Sequence, residues 1–74
     1  MIIRFINPFE YGSFRQWDLI IIDEYGSFVF RTSVQFNNTD TDDTIRAFGE
    51  SVFYNQGYLS YNEIIIDKPD HWGN

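Results

Sequence analysis

The chain has 74 residues, a formal charge of −6 and no cysteine. A chain of this length folds as one small domain, for which we predict the bounds 1–74, and it has no thiol for a disulfide or a thiolate metal site. Its longest unbroken aliphatic run, Leu19–Ile22, is far shorter than the ~20 residues that cross a bilayer. The first residues do not form the apolar core of a signal peptide, so we expect a cytoplasmic protein.

The charged residues are strongly unbalanced. The chain contains eleven acidic side chains but only four arginines and a single lysine, Lys68, although it is rich in isoleucine and asparagine. The basic residues are scattered singly, and nucleic acids or anionic membrane surfaces are bound by basic patches. We therefore expect no direct nucleic-acid binding and no membrane partner. The excess of acid is compatible both with simple solubility and with a surface that meets a positively charged partner.

The first half of the chain predicts two strands joined by a loop. Residues Ile2–Ile6 form the first predicted strand, which ends at Asn7-Pro8 because proline cannot donate to a strand ladder. Residues 9–16 are expected to form a connecting loop, because Gly12 and Ser13 interrupt them. The second predicted strand is Trp17–Ile22.

A turn, a third strand and one helix follow. Asp23–Gly26 has the composition of a hairpin turn with glycine in the left-handed position. Ser27–Phe36 alternates with the period of a half-buried strand. The helix is predicted to begin near Thr41, with Asp40 or Thr41 as its cap, and to end at Gly57. Its apolar stripe consists of Ile45, Phe48, Val52 and Phe53.

The last predicted strand is Tyr58–Asp67, and residues 68–74 form a C-terminal tail. The order strand, strand, strand, helix, strand predicts an α+β fold, a small antiparallel sheet of about four strands with one helix on one face. Because unbroken isoleucine triplets place isoleucine on both faces of the sheet, the face away from the helix needs a cover. The loop of residues 9–14, the tail, a second copy of the chain or a partner protein could provide it.

Few residues could carry catalysis or bind a metal. The one histidine, His71, lies in the predicted tail, and there is no phosphate-binding glycine loop or cluster of zinc ligands. Asn38, Asp40 and Asp42 have the spacing of the start of a calcium loop, but Asp43 stands where such a loop needs glycine. We therefore expect neither an enzyme nor a bound cofactor or metal.

Carboxylates and aromatic side chains outside the predicted core form the candidate binding surface. Carboxylates on a rigid sheet can replace phosphates against Arg and Lys, and tyrosine adds a large contact area at small entropic cost. The predicted partner-binding residues are Asp23, Glu24, Tyr25, Asp40, Asp42, Asp43, Glu50, Tyr54, Asp67 and Asp70. The sequence thus favours an inhibitor that occupies the basic, nucleic-acid-binding surface of a nuclease or DNA-binding protein, as a DNA mimic does.

In size, charge and composition the chain resembles small acidic phage-encoded anti-defence proteins, anti-CRISPR inhibitors among them. That resemblance implies action on a basic protein in the cytoplasm of a host cell. The alternative hypothesis is a homo-oligomeric structural or assembly protein, in which the open face of the sheet forms the contact between copies, for example in a homodimer.

Overall fold

The computed structural model describes residues 1–72 as a four-stranded sheet with one long helix on one face. Its elements are β1 (Ile2–Tyr11), β2 (Phe14–Ile22), β3 (Phe28–Asn37), α1 (Asp42–Asn55), β4 (Glu63–Ile66) and a 3-10 turn (Asp70–Trp72). This order confirms the predicted α+β fold. Gly73 and Asn74, the end of the predicted tail, lie outside the described residues. No helix within residues 1–72 has the length and apolar character that a membrane span requires.

The sheet is mixed, whereas the sequence suggested antiparallel pairing throughout. The strand order is β3-β2-β1-β4, with antiparallel pairing along β3, β2 and β1 but parallel pairing of β1 with β4. The reason is topological, since β1 and β3 run in the same direction and α1 carries the chain back before β4 begins. β4 is also shorter than predicted, because Tyr58 and Tyr61 pack their rings on Phe53 of the helix, at 5.3 and 5.5 Å between centroids.

Residues 9–16 do not form the predicted loop. β1 and β2 continue as a hairpin to Tyr11 and Phe14 and turn at Gly12, whose φ is +56°. Pro8 does not end the strand, because the pairing is irregular between Ile6 and Phe9 and resumes after it. Asn7 takes up this irregularity with a φ of +55°, a conformation that asparagine tolerates better than most residues. A bulge therefore accommodates the proline within β1.

The helix lies over β1 and covers the apolar face of the sheet. Gly49 is buried there, directly above Phe5 and Ile3, as a close approach of helix and sheet requires. Part of the predicted tail packs on the same face, where the Trp72 ring meets the Trp17 ring edge-on at 5.5 Å between centroids. The buried core consists of Ile3, Phe5, Trp17, Leu19, Ile21, Val34, Phe36, Ile45, Phe53 and Trp72.

The turn and helix boundaries follow the predicted signals. Thr41 is the helix N-cap, and its hydroxyl accepts a hydrogen bond of 3.3 Å from the main-chain N–H of Thr44. Gly57, just after the helix, has a φ of +92°, and Gly26 closes the β2–β3 turn with a φ of +83°. The apolar stripe is narrower than predicted, because Phe48 is 41% exposed and contacts the sheet only at its edge.

The face of the sheet away from the helix is open in the described part of the chain. Residues 9–14 were expected to cover it as a loop, but they extend the β1–β2 hairpin within the sheet. The tail was the other expected cover, and Trp72 packs on the opposite face instead. As a result the side chains of Phe9, Tyr11 and Phe14 stand on the open face and are 57%, 44% and 40% exposed.

Candidate protein-interaction surface

The sheet has two ends, which carry most of the charge. One is the turn end, where Ile22 of β2 pairs with both Ile2 and Phe28. The other is the helix-start end, where Phe14 of β2 pairs with Asn37 and the chain enters α1. The nine-residue strand β2 separates the two ends by about 26 Å at the usual rise of a strand.

The turn end holds three carboxylates, those of Asp23, Glu24 and Glu63, and none of the four ion pairs of the described residues involves them. Two cationic groups lie near Glu63: the Met1 ammonium donates a hydrogen bond of 2.7 Å to Asn62, and Arg46 donates one of 3.0 Å to the main-chain carbonyl of Ile64. The Asp23 carboxylate accepts hydrogen bonds of 2.9 Å from the main-chain N–H groups of Tyr25 and Ser27. These bonds hold the β2–β3 turn in one shape and leave Glu24 exposed at its tip. The three carboxylates of the turn end together carry a formal charge of −3.

Large apolar side chains are exposed beside these carboxylates. Tyr25 at the tip of the turn is 90% exposed, and Phe28 at the start of β3 is 61% exposed. Leu59, in the segment between the helix and β4, is also 90% exposed. Exposed large apolar side chains next to carboxylates that form no ion pair are typical of a surface that binds another protein.

The helix-start end also has a formal charge of −3, but it contains basic residues. Its carboxylates are those of Glu10, Asp40, Asp42, Asp43 and Asp70, and its basic side chains are Arg15 and Lys68. Lys68 lies 2.7 Å from the Asp42 carboxylate, and Arg15 lies 2.8 Å from that of Glu10. Asp40 accepts a hydrogen bond of 2.9 Å from the N–H of Asn37. Most of these carboxylates therefore hold neighbouring residues in place.

The middle of the molecule is electrically balanced. Three carboxylates, those of Asp18, Glu50 and Asp67, are matched there by Arg4, Arg31 and Arg46. On the open face of the sheet, Arg4 forms two hydrogen bonds with Asp67, and Arg31 lies 2.7 Å from the Asp18 carboxylate. The excess of acidic over basic side chains therefore lies mainly at the two ends.

Asp18 is the centre of a polar network on the open face. Its carboxylate accepts hydrogen bonds from the side chains of Asn7, Arg31 and Ser33, at 3.0, 2.7 and 3.2 Å. The bond from Asn7 and then that from Arg31 lower the pKa of the Asp18 carboxyl below its ordinary value. The network fixes three strands relative to one another.

Glu50 and Tyr54 lie on the second half of the helix. The Tyr61 hydroxyl donates a hydrogen bond to the Glu50 carboxylate, which raises the pKa of Tyr61 to about 12. The Tyr54 ring stands in the last turn of the helix, edge-on to Phe53 at 5.6 Å between centroids, and is 51% exposed. Glu50 therefore has a local structural partner.

The structure does not bring the predicted binding residues together on one surface. Asp23, Glu24 and Tyr25 lie at the turn end, whereas Asp40, Asp42, Asp43 and Asp70 lie at the helix-start end. Asp67 and Glu50 belong to the balanced middle, with Arg4 and Tyr61 as their respective partners. The predicted residues are thus divided into two separate groups, and Asp23, Glu24 and Tyr25 are the group that belongs to a single turn.

Two residues of the turn-end surface were missed from the sequence. In the alternation of the predicted strand Ser27–Phe36, Phe28 falls in the same set as Phe30. The register shift between Ile21 and Ile22 instead places Phe28 opposite Ile22, on the open face. Leu59 was placed within the last strand, which begins four residues later, at Glu63. A bulge and a late strand start leave no clear signal in a single sequence.

Comparison with protein-family models, curated proteins and solved structures gives no match for this chain. Within residues 1–72, no three histidine or carboxylate side chains are grouped so that they could hold a metal ion. His71 is exposed, with its ring beside that of Trp72 at 6.4 Å between centroids.

Proposed function

We propose that this protein is a small acidic binding protein, not an enzyme, and that its turn end docks on a basic surface of another protein. The observation that carries the proposal is the division of charge. In the middle of the molecule acidic and basic side chains are balanced, whereas at the turn end none of the four ion pairs of residues 1–72 involves Asp23 or Glu24. Such a field favours encounter with a positively charged partner and disfavours others.

The shape of the turn supports the same proposal. Asp23 ties down the main chain on both sides of Tyr25, and Gly26 takes up the left-handed conformation that closes the turn. Glu24 and Tyr25 are therefore presented by a preformed hairpin, and little conformational entropy is lost when they bind. The tyrosine ring can pack on the stem of an Arg or Lys while the carboxylate meets its charge.

The partner class that we propose is a nuclease or DNA-binding protein, whose nucleic-acid channel supplies the basic surface. In this role the protein acts in the cytoplasm as an inhibitor, and its carboxylates take the place of phosphates. The anti-defence inhibitors that it resembles in size, charge and composition would be examples of this role. Binding of this kind weakens steeply as salt is added, because it depends on paired charges.

The test is affinity capture of basic nucleic-acid-binding proteins from the host, with variants that separate the two ends. Glu24→Lys inverts one charge at the turn end, and Asp43→Lys makes the same change at the helix-start end. Both positions are exposed, and neither side chain forms one of the four ion pairs of residues 1–72. We expect Glu24→Lys to weaken capture at least tenfold and Asp43→Lys to weaken it by much less.

Two further measurements make the test specific. DNA added as a competitor should release the captured protein, and Tyr25→Ala should weaken capture without changing the net charge. The proposal is wrong if no basic nucleic-acid-binding protein is retained in a salt-dependent way. It is also wrong if Glu24→Lys and Asp43→Lys reduce capture equally, since a general charge effect would then account for the binding.

Assembly through the open face of the sheet is a second candidate function. It is favoured by the exposed row of Phe9, Tyr11 and Phe14, whose neighbouring rings lie 5.7 and 6.1 Å apart between centroids. Sedimentation of Phe9→Ser tests it, because a contact between copies through this face should weaken when the ring is removed.

A further inference from the structure

β3 forms a long edge of the sheet that no other described segment covers. It is the outermost strand beside β2 and has ten residues, Phe28–Asn37. Within residues 1–72, the main chain of Phe28–Phe36 forms hydrogen bonds only with β2. Alternate N–H and C=O groups along this edge are therefore available to another strand.

The two edges of the sheet are protected to different degrees. β4, at the opposite edge, has four residues, begins with Glu63 and is followed closely by Pro69, which are common means of blocking a strand edge. β3 has no proline and no lysine. Its single charged side chain, Arg31, is paired with Asp18 of the neighbouring strand. The β3 edge is thus both the longer and the less protected one.

The charge of β3 indicates which occupant fits this edge. β3 has no acidic residue, whereas each of β1, β2, α1, β4 and the 3-10 turn contains at least one. Two copies that each carry a charge of −6 repel one another, and contact through the turn end or the helix-start end would bring their carboxylates together. The β3 edge itself brings no acidic side chain of the strand into the contact.

We infer that two copies of this chain pair through β3, antiparallel and about a two-fold axis, to form one eight-stranded sheet. In antiparallel pairing, directly opposed residues lie on the same face of the sheet. Odd-numbered residues of β3 must therefore lie opposite odd-numbered residues of the second copy, so that the helix sides of the two sheets form one face and their open faces form the other. The regular part of β3 begins at Phe30, after the register shift. A two-fold axis at Ser33 pairs the residues from Phe30 to Phe36 of one copy with the residues from Phe36 to Phe30 of the other.

This register gives compatible neighbours on both faces. On the helix side, Phe30, which is half-buried in the single copy, lies opposite Phe36 of the second copy. The second copy's own exposed Phe48 packs edge-on to that Phe36, so an apolar layer continues across the junction. On the open face, Arg31 lies opposite Gln35 of the second copy, and the two-fold axis repeats this contact. The pairing does not depend on the proposed function of the turn end.

The register can be tested with two substitutions at Gln35, an exposed residue whose neighbour within its own chain is Gln16. Gln35→Lys places a positive charge opposite Arg31 of the second copy, whereas Gln35→Glu places a negative one there. With two such contacts in each dimer, sedimentation equilibrium should show a dissociation constant about tenfold weaker for Gln35→Lys than for Gln35→Glu.

The net charge of the chain predicts the opposite order. Gln35→Lys reduces the repulsion between two acidic copies, and Gln35→Glu increases it, so a general charge effect would make Gln35→Lys the tighter dimer. Phe9→Ser, on the open face, serves as the control and should leave this dimer unchanged. Circular dichroism establishes that each variant is folded.

Three results would overturn the inference. They are a wild-type protein that stays monomeric at about millimolar concentration, a dimer that is tighter in Gln35→Lys than in Gln35→Glu, and a dimer that Phe9→Ser dissociates while both Gln35 variants retain it. The third would assign self-association to the open face. Loss of host-protein capture by Glu24→Lys, with the dimer intact, would separate this inference from the function of the turn end.

Discussion

Gly49 of the helix and Phe5 of β1 meet at the closest approach between helix and sheet. A Cβ atom at position 49 would lie 3.1 Å from Cε1 and Cζ of the Phe5 ring and 3.3 Å from Cγ2 of Ile3. The Phe5 ring has no room to withdraw, since it is fully buried and stands edge-on to Trp17 and Phe36. The missing side chain of Gly49 therefore sets the distance between the two layers of the fold.

Gly49→Ala should destabilise the protein. Alanine improves helix propensity by about 1 kcal/mol, but crowding a packed core typically costs 1–3 kcal/mol, so we expect a net loss of roughly 1 kcal/mol in the free energy of unfolding. Urea denaturation measures this loss. Ser51→Ala, on the exposed side of the same helix, is the control and should stabilise the protein slightly. An equal gain in both variants would contradict the close packing at Gly49.

Trp17→Phe should detach the C-terminal segment from the sheet. The indole Nε1 of Trp17 donates a hydrogen bond of 2.7 Å to the main-chain carbonyl of Asp67, and its ring supports Trp72. Loss of the bond and of part of the ring should lower the free energy of unfolding by about 2–3 kcal/mol. Trp72→Phe changes the same ring type without removing that bond and should cost less. If the two variants prove equally stable, the bond to Asp67 contributes little.

The sequence predicted those parts of the fold that depend on local signals. Thr41 and Gly57 mark the ends of the helix, and Gly26 marks the turn, because each residue satisfies a requirement of the main chain at its own position. The parallel pairing of β4 with β1 was not predicted, because it depends on how many times the chain reverses its direction between these two strands. Pro8 was read as a strand end because the bulge that accommodates it forms only when β2 pairs alongside.

The candidate surface was less predictable than the fold. Composition revealed the excess of acid, but the pairing of Asp67 with Arg4 joins residues far apart in the chain. Only the folded arrangement shows that the arginines neutralise the middle and leave the ends charged. Glu24 and Tyr25 were found in advance because a hairpin tip is exposed whatever surrounds it.

Asp18 should make the stability of the protein depend on acid pH. Its pKa is lower in the folded protein than in the unfolded chain, so its contribution is fully present above the ordinary carboxyl pKa and is lost as the pH falls through the folded value. We expect Asp18→Asn to be less stable than the wild type at neutral pH, with a difference that shrinks below about pH 4. Urea denaturation over a pH series measures it. A difference that stays constant with pH would exclude titration of Asp18 as its cause.

Tyr61 should ionise at a higher pH than an ordinary tyrosine. The Glu50 carboxylate accepts its hydroxyl proton in a hydrogen bond and repels a phenolate, which raises the pKa of Tyr61 to about 12 from its ordinary 10.0. An alkaline titration followed by tyrosinate absorbance should therefore show a late step at about pH 12, which belongs to Tyr61. Because the folded pKa is the higher one, the stabilisation from this bond is complete below pH 10.0 and is lost as the pH rises towards about 12.

Two variants assign the late titration to this pair. Tyr61→Phe should abolish the late step, and Glu50→Gln should move it back towards the ordinary tyrosine range while all five tyrosines still titrate. Tyr54→Phe is the matched control, because its ring lies 6.5 Å from that of Tyr61 between centroids but its hydroxyl takes no part in the bond to Glu50. A late step that survives Glu50→Gln would show that burial, and not the carboxylate, holds the Tyr61 proton.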